Sequence, residues 1–318
     1  MQIAIIGAGF SGLSLAWNFQ QKGGCEITIF EKKGIGGGAS GIAAGLIHPY
    51  TGEQARRSLF ASDGIKATQE LIAIAEKELG KQVVLQSGII RYVQNEDQHQ
   101  RLLSHCQSFK DVKPHSSNSF LIESGMTIDS PRYLEGLWCA LAGKGVKLVL
   151  SEVTDLSSLK GFDHIVVAAG AGAKQFPELN SLNISILKGQ VLKCRVPKTA
   201  EFPKSSSICK GYVALSQDPE VCYIGSTYQR GDLTDNPQLE LAKEELFPKI
   251  AFFFPSVVDL KVIECRAAFR VNRIGHYLPI AARVGRNIWV LTAMGSRGLL
   301  YHAYFAKELV EEIAKTPI

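Results

Sequence analysis

The chain has 318 residues, of which 46% are hydrophobic and 20% charged, with a formal net charge of +5. That length exceeds one average domain, and the composition excludes a disordered or fibrous chain and fits an ordinary globular enzyme. No apolar run reaches the length of a membrane-spanning helix, so no membrane partner is expected. The seven cysteines (Cys25, Cys106, Cys139, Cys194, Cys209, Cys222 and Cys265) are odd in number, scattered, and never in CxxC spacing. That argues against a disulfide framework and a zinc site, and no HExxH pattern suggests another metal. A reducing, cytoplasmic location is the expectation. The mild positive charge permits an anionic substrate or an RNA partner and demands neither.

The chain opens on its strongest signal. Ile3-Ala4-Ile5-Ile6 reads as a strand, Gly7-Ala8-Gly9-Phe10-Ser11-Gly12 as a glycine-rich turn, and Leu13 to Phe19 as a helix. Glu26-Ile27-Thr28-Ile29-Phe30 is a second strand closing on Glu31. Gly7 permits a sharp turn, Gly9 lets the backbone approach a pyrophosphate, and Gly12 lets the helix pack close to the sheet. The free N–H groups and positive dipole end of the helix then face the diphosphate. Glu31, roughly twenty residues beyond the glycines, is placed to accept a ribose hydroxyl. Strand, turn, helix, strand and acid in this order point to an ADP-containing dinucleotide. Because the fingerprint begins at Gln2, no signal peptide is expected ahead of it.

Lys32 to Gly45 follows, with glycines at 34, 36, 37, 38, 41 and 45, a loop that must pass close to something. Residues 53–80 read as a helix stopped by Gly80, Val83 to Val93 as a hairpin turning near Ser87-Gly88, and 95–120 as polar and loop-rich. Ser130-Pro131 signals a helix start continuing through Leu141. Val146 to Leu150 and Asp163 to Gly170 read as strands. From Ile184 to Cys265 the pattern is antiparallel β, with Gln190 to Val196, Tyr212 to Leu215 and Val221 to Gly225 as strands and a helix from Pro237 to Phe253. Ile288 to Leu291 is a strand, Thr292 to Arg297 a turn, and Gly298 to Ala314 a helix. Both ends therefore carry α/β elements and the middle carries antiparallel strands. The expected fold is an α/β, Rossmann-like nucleotide-binding domain with an inserted antiparallel-sheet substrate domain. The boundaries fall at 1–80, 125–185 and 265–318 for the first, and at 81–124 and 186–264 for the second.

Four segments together resemble the D-amino-acid oxidase family of flavoproteins, which includes glycine oxidase and sarcosine oxidase. They are Gly7 to Glu31, the small-residue loop Gly38 to Leu46, Val166 to Ala171, and Arg266 to Glu308 with Ala293-Met294-Gly295-Ser296-Arg297-Gly298-Leu299. The resemblance runs the length of the chain in order. It implies a glutathione-reductase-like FAD domain and FAD as the cofactor. The implied cofactor-binding residues are Gly7, Gly9, Phe10, Ser11, Gly12, Glu31, Lys32, Ser40, Ala44, Gly45, Leu46, Val153, Ala169, Gly170, Gly295, Gly298, Leu299 and Leu300. No cysteine stands where sarcosine oxidases tether FAD, which implies a noncovalent cofactor. The final helix, starting near Gly298, is expected to point its positive end at the flavin.

The implied chemistry is oxidation of the C–N bond of an amino-acid-like amine by hydride transfer to the flavin, followed by imine hydrolysis, with oxygen or another acceptor taking the electrons. A carboxylate-bearing substrate calls for a guanidinium fork. Arg270, in Ala268-Phe269-Arg270, and Arg297 stand at the family positions, with Arg266 and Arg273 flanking them as alternatives. Tyr212, Tyr228 and Tyr301 are further pocket candidates. His48, in Leu46-Ile47-His48-Pro49-Tyr50, is placed either to contact the substrate and flavin or to serve as a structural histidine.

Gly295 to Leu299 and Gly45 to Pro49 are most similar to one branch, the FAD domain of the bifunctional enzyme that builds 5-methylaminomethyl-2-thiouridine in tRNA. That branch implies an N-substituted glycine substrate, 5-carboxymethylaminomethyl uridine, with tRNA as partner. The basic stretches Lys188 to Lys210 and Lys243 to Lys249 are available for phosphates. In a departure from that branch, no fused methyltransferase domain is expected. A free glycine, sarcosine or D-amino-acid oxidase is the alternative, consistent with Gly225-Ser226-Thr227 and a Gly231-Asp232 turn. A non-catalytic flavin-binding protein is the alternative outside the enzyme class.

Overall fold

The computed structural model describes residues 1–197, 202–231 and 234–316. Its first sheet has six strands in the order Ile280–Arg283, Ile288–Thr292, His164–Val167, Gln2–Ile6, Glu26–Glu31 and Lys147–Leu150. All neighbours are parallel except the edge strand Ile280–Arg283. Strands buried on both faces need apolar side chains in both directions, which is why Ile3-Ala4-Ile5-Ile6 does not alternate with polar residues. Ile3 and Ile5 enter one core with Leu13, Phe19, Trp289 and Leu309, while Ala4 and Ile6 enter another with Ile165, Val167, Phe176 and Val290. Helices α1 (Phe10–Lys22), α2 (Ala61–Leu79) and, later in the chain, Ser130–Ala142 and Gly298–Lys315 build the first of these cores.

The second sheet has nine strands among the described residues. Lys261–Arg273 pairs with Ile184–Arg195, followed by Val221–Gly225, Tyr212–Leu215, Ser207–Ile208, Val84–Tyr92, Ser119–Ile128 and Leu46–Ile47, with Val112–Ser116 added beside Ser119–Ile128. It is antiparallel except where Ser207–Ile208 runs parallel to Val84–Tyr92. The mixed α/β architecture and the antiparallel middle are as the pattern predicts.

Several local readings are corrected. The helix expected over 53–80 starts only at Ala61, because Arg56–Arg57 forms a short strand with Tyr50–Thr51 and Phe60 takes a left-handed φ of 54° ahead of the helix. Val83 to Val93 is one strand and not a hairpin: Gly88 (φ +83°) sits in a bulge, and pairing with Ser119–Ile128 continues on both sides of it. A bulge and a tight turn use the same glycine, and only the partner strand separates them. The segment 95–120 is not loop-rich. It holds helix α3 (Glu96–Ser108), capped by the Asn95 side chain accepting from the Gln98 N–H, and the strands that follow. Its polarity reflects a helix buried on few positions, Gln98 and Leu102 among them. The next helix, α4 (Ser130–Ala142), is capped by Asp129, one residue before the expected start.

The boundaries expected at 124/125, 185/186 and 264/265 each fall inside a strand of the second sheet. Leu46–Ile47, from the glycine loop, also joins that sheet. The two layers are therefore sewn together along the chain. The remaining helices are α5 (Leu239–Ala251) and α6 (Gly298–Lys315). Gln2–Ile6, His164–Val167 and Ile288–Thr292 run parallel, so the segments leaving their carboxyl ends emerge side by side. That is where open α/β sheets place their ligands.

Candidate active site

A cavity of about 1040 Å³ lies over those carboxyl ends and extends to the face of the second sheet. It is slightly larger than the roughly 300–1,000 Å³ typical of small-molecule sites.

At one end the walls are the Gly7–Ser11 turn, Glu31, Lys32, Ser40 and Val153. Gly9 caps α1 without a side chain, and no acid lies in the first turn of the helix itself. The Phe10 N–H donates to Ser40 Oγ at 3.1 Å. A Cβ on Gly9 would lie 2.7 Å from that same Oγ, so the glycine loop packs directly on the turn. Gly12 does not line the cavity; a Cβ there would lie 1.8 Å from the Gly7 carbonyl oxygen, so it is a packing position. Glu31 Oε2 accepts from the Ala8 N–H and Oε1 from the Lys33 N–H, both at 2.9 Å. Each carboxylate oxygen keeps a lone pair for a further donor. Lys32 and Lys33 at the rim pair with Glu152 and Asp235 at 3.0 and 3.2 Å.

The middle of the cavity is built of small residues. Ala44, Gly45 and Leu46 line it from one side, Ala169 and Gly170 from the strand end, and Gly295, Gly298 and Leu299 from the turn before α6. Gly45 has φ +81°, and a Cβ on it would lie 1.8 Å from the Ile128 carbonyl oxygen. Leu300 does not reach the cavity; its side chain is buried and its carbonyl packs against Gly64. Like α1, α6 begins with no side-chain cap and no acid in its first turn.

The far end holds the polar side chains. Arg270, on Lys261–Arg273, lines the cavity with its side chain lying over Gly189 of the neighbouring strand, where any Cβ would collide with its guanidinium. It donates to Ser226 Oγ and to the Thr227 carbonyl at 3.4 Å, and stacks on the Tyr228 ring at 4.6 Å. Arg297 is outside the lining set. Its Nε donates to Thr51 Oγ1 at 2.6 Å and its guanidinium stacks on Tyr277 at 5.0 Å, which sets it at the edge beside Thr51 and Gly52, two residues that do line the cavity. Among the described residues neither arginine forms an ion pair. Arg266, by contrast, is taken by Glu264 at 2.6 and 2.7 Å, and neither it nor Arg273 borders the cavity. Tyr212 and Tyr228 line the cavity, whereas Tyr301 is buried in the core and donates to the Leu59 carbonyl at 2.9 Å.

His48 borders the cavity with its Nδ1 buried and unpartnered. Burial and the charges of Arg91 and Arg297 push it down to about 3, so the imidazole is neutral at physiological pH. Arg91 is the wall residue missed in the sequence. It is 3% exposed and donates to the carbonyls of Tyr50 at 3.0 Å and Gly52 at 2.8 Å, with Nε left unpartnered. Burial lowers it to about 10, which keeps it charged at neutral pH. A lone charge in the apolar run Ile89-Ile90-Arg91 was the available signal.

The basic stretches offer less free charge than the sequence suggests. Lys188 is buried, and Lys243 and Lys249 pair with Glu240 and Glu245 on their own helix. Part of Lys188 to Lys210, and Asp232 of the Gly231-Asp232 turn, lie outside the described residues. Among the described residues no His, Cys, Asp and Glu cluster is arranged to hold a metal, and no helix is long and apolar enough to cross a membrane.

The chain is 24% identical over 324 residues to the tRNA 5-methylaminomethyl-2-thiouridine biosynthesis bifunctional protein of Maricaulis maris, covering 98% of this chain and 52% of that protein. It thus spans about half the length of the curated relatives of that type that it matches. It is 25% identical to human D-aspartate oxidase, covering 100% of this chain and 97% of that one. The fold superimposes on iminodiacetate oxidase from Chelativorans sp. with a TM-score of 0.82 at 19% identity, covering 99% of this chain and 96% of the other. Residues 2–312 match the DAO family, described as FAD dependent oxidoreductase. A glycine-rich turn at a helix start and two arginines without acidic partners thus stand around one cavity and its edge, in a chain that belongs to the DAO family of FAD-dependent oxidoreductases.

Proposed function

We propose that this protein oxidises the C–N bond of an N-substituted glycine, with a nucleoside-borne carboxymethylaminomethyl group, such as that of 5-carboxymethylaminomethyl uridine in tRNA, as the substrate. The observation that carries this reading is Arg270: a half-buried guanidinium on the cavity wall whose partners are all neutral. Such a group favours a planar anion that matches its fork.

The residues present fit FAD. The uncapped start of α1 with Gly7, Gly9 and Ser11 would hold the diphosphate, Glu31 the ribose, and Ala44 to Leu46, Gly170 and Gly295 to Leu299 the ring system. No cysteine lines the stretch before α6, which supports a noncovalent cofactor. Bound there, the flavin supplies the two-electron acceptor for a hydride from the carbon beside nitrogen. Arg270 grips the carboxylate and fixes that carbon relative to the small-residue walls, so the chain contributes chiefly orientation. Arg297 adds positive charge at the edge. His48 offers one donor and one acceptor without adding charge. Water then hydrolyses the imine, and an N-substituted glycine oxidised at its glycine carbon yields the free amine and glyoxylate.

Two relatives support the substrate class: a protein named for tRNA 5-methylaminomethyl-2-thiouridine biosynthesis, and a structural neighbour named for iminodiacetate, itself an N-substituted glycine. The second reading is a free amino-acid oxidase. It is favoured by the likeness to D-aspartate oxidase, to which this chain is 25% identical over 338 residues. The deciding experiment mixes the FAD-loaded protein, without air, with glycine, sarcosine, a D-amino-acid panel and hypomodified tRNA, and follows flavin bleaching. Fast bleaching by tRNA bearing the carboxymethylaminomethyl group, with glyoxylate released, supports the first reading. Fast bleaching by a free amino acid, with no tRNA binding at low salt, establishes the second.

A further inference from the structure

Two exposed aromatic rings from different segments converge on the short turn Gly295–Arg297 at the cavity edge. Tyr228 follows the strand Val221–Gly225, lines the cavity and is 52% exposed; its hydroxyl hydrogen-bonds Ser296 Oγ at 2.8 Å. Tyr277 lies between Lys261–Arg273 and Ile280–Arg283 and is 78% exposed. Each ring is backed by one of the two arginines that lack acidic partners: Arg270 at 4.6 Å from the Tyr228 centroid, and Arg297 at 5.0 Å from that of Tyr277. Both rings are exposed, and each has a guanidinium beside it.

We infer that Tyr228 and Tyr277 form a base-stacking platform at the cavity mouth, which holds the pyrimidine of a nucleoside substrate while its carboxymethylamino arm enters toward Arg270. This rests on the proposed reading and names the residues that separate a nucleoside-borne amine from a free one. A free glycine derivative small enough to lie wholly inside the cavity never reaches a ring as exposed as Tyr277. A base joined to the same group through one methylene emerges at the edge where the rings stand. An arginine packed on one ring face leaves the opposite face free for a base, and aromatic stacking tolerates any base that the linker presents. The guanidinium groups beneath also attract the anionic backbone of a nucleic acid.

The test is calorimetric titration of the FAD-loaded protein with 5-aminomethyluridine, which keeps the base and lacks the carboxylate. The wild type should bind it. Tyr277→Ala and Tyr228→Ala should each weaken binding about tenfold, and Tyr277→Trp should restore it, since indole stacks as well as phenol. In anaerobic mixing, Tyr277→Ala should lower the preference for 5-carboxymethylaminomethyl uridine over sarcosine by a similar factor, through the apparent Kd and not the limiting rate of bleaching. No binding to the wild type, equal binding to wild type and alanine variants, or an unchanged preference overturns the platform. Tyrosine-dependent binding without any bleaching by the nucleoside upholds the platform and defeats the proposed oxidation.

Discussion

Arg297 Nε donates to Thr51 Oγ1 over 2.6 Å, joining residues 246 positions apart and tying the turn before α6 to the segment that follows the glycine loop. Arg91 holds the same segment from behind through the carbonyls of Tyr50 and Gly52. The edge arginine is therefore positioned by a buried one, through a backbone neither belongs to.

Arg270→Ala should retain FAD yet lose turnover of carboxylate-bearing amines. Removing one partner of a desolvated charge pair costs roughly 2–5 kcal/mol. The loss should appear in the apparent Kd of the bleaching reaction, and an amine without a carboxylate should be nearly indifferent. Arg297→Ala should cost less, because Arg297 stands at the edge and not on the wall. Equal losses for the two variants would contradict that ordering, and wild-type bleaching by both would remove the carboxylate grip altogether.

Glu31→Ala should weaken FAD binding by more than a single ribose contact. The carboxylate also orders the Ala8 and Lys33 N–H groups, and hydrogen bonds to a charged group are worth roughly 1.5–3 kcal/mol each. Equilibrium dialysis of FAD measures the loss. Acid or heat should release all the flavin from the wild type; flavin that stays with the precipitate would overturn the noncovalent expectation.

Gly12→Ala tests the helix–turn approach. Its Cβ would sit 1.8 Å from the Gly7 carbonyl oxygen, a backbone atom that cannot rotate away. The variant should fail to bind FAD and melt well below the wild type, since overpacking costs about 1–3 kcal/mol or more. A wild-type melting temperature and flavin content would show that α1 shifts freely.

Stability should fall on mild acidification through His302. It is buried, bonded through Nε2 to Tyr133 Oη at 2.8 Å and through Nδ1 to the Gly298 carbonyl at 3.0 Å, and burial lowers it from 6.5 to about 4. The carbonyl fixes the proton on Nδ1, leaving Nε2 to accept from the tyrosine. With the folded value depressed, the unfolded chain takes the proton first, so the contribution is complete above pH 6.5 and shrinks as pH falls toward 4. Between pH 6.5 and 5 the wild type should lose roughly 1–2 kcal/mol from this group, the full slope of about 1.36 kcal/mol per unit being reached only once the unfolded imidazole is protonated. Denaturant unfolding of the wild type and His302→Gln at several pH values measures it; parallel pH curves would place the proton elsewhere.

The local periodicities determined the parallel sheet. Ile3 to Ile6, Ile165 to Val167 and Ile288 to Leu291 are apolar in both directions, and only doubly covered strands are built that way. The glycines before α1 announced a dinucleotide because their roles are short-range, a turn and a close approach within a few residues. The antiparallel middle was legible for the same reason, although its strand ends were not. Whether Gly88 makes a turn or a bulge depends on Ser119–Ile128, some thirty residues on, and the polar stretch 96–108 folds as a helix because Leu102 and Gln98 find a cover the sequence does not name. The cavity was likewise decided by tertiary structure. Arg270, Arg266 and Arg273 share one strand and look alike in sequence; Glu264 neutralises one, exposure removes another, and the space over Gly189 leaves Arg270 on the wall. Arg91 and Thr51 join the site through contacts across 41 and 246 positions, separations over which side-chain type carries no information until the chain has closed on itself.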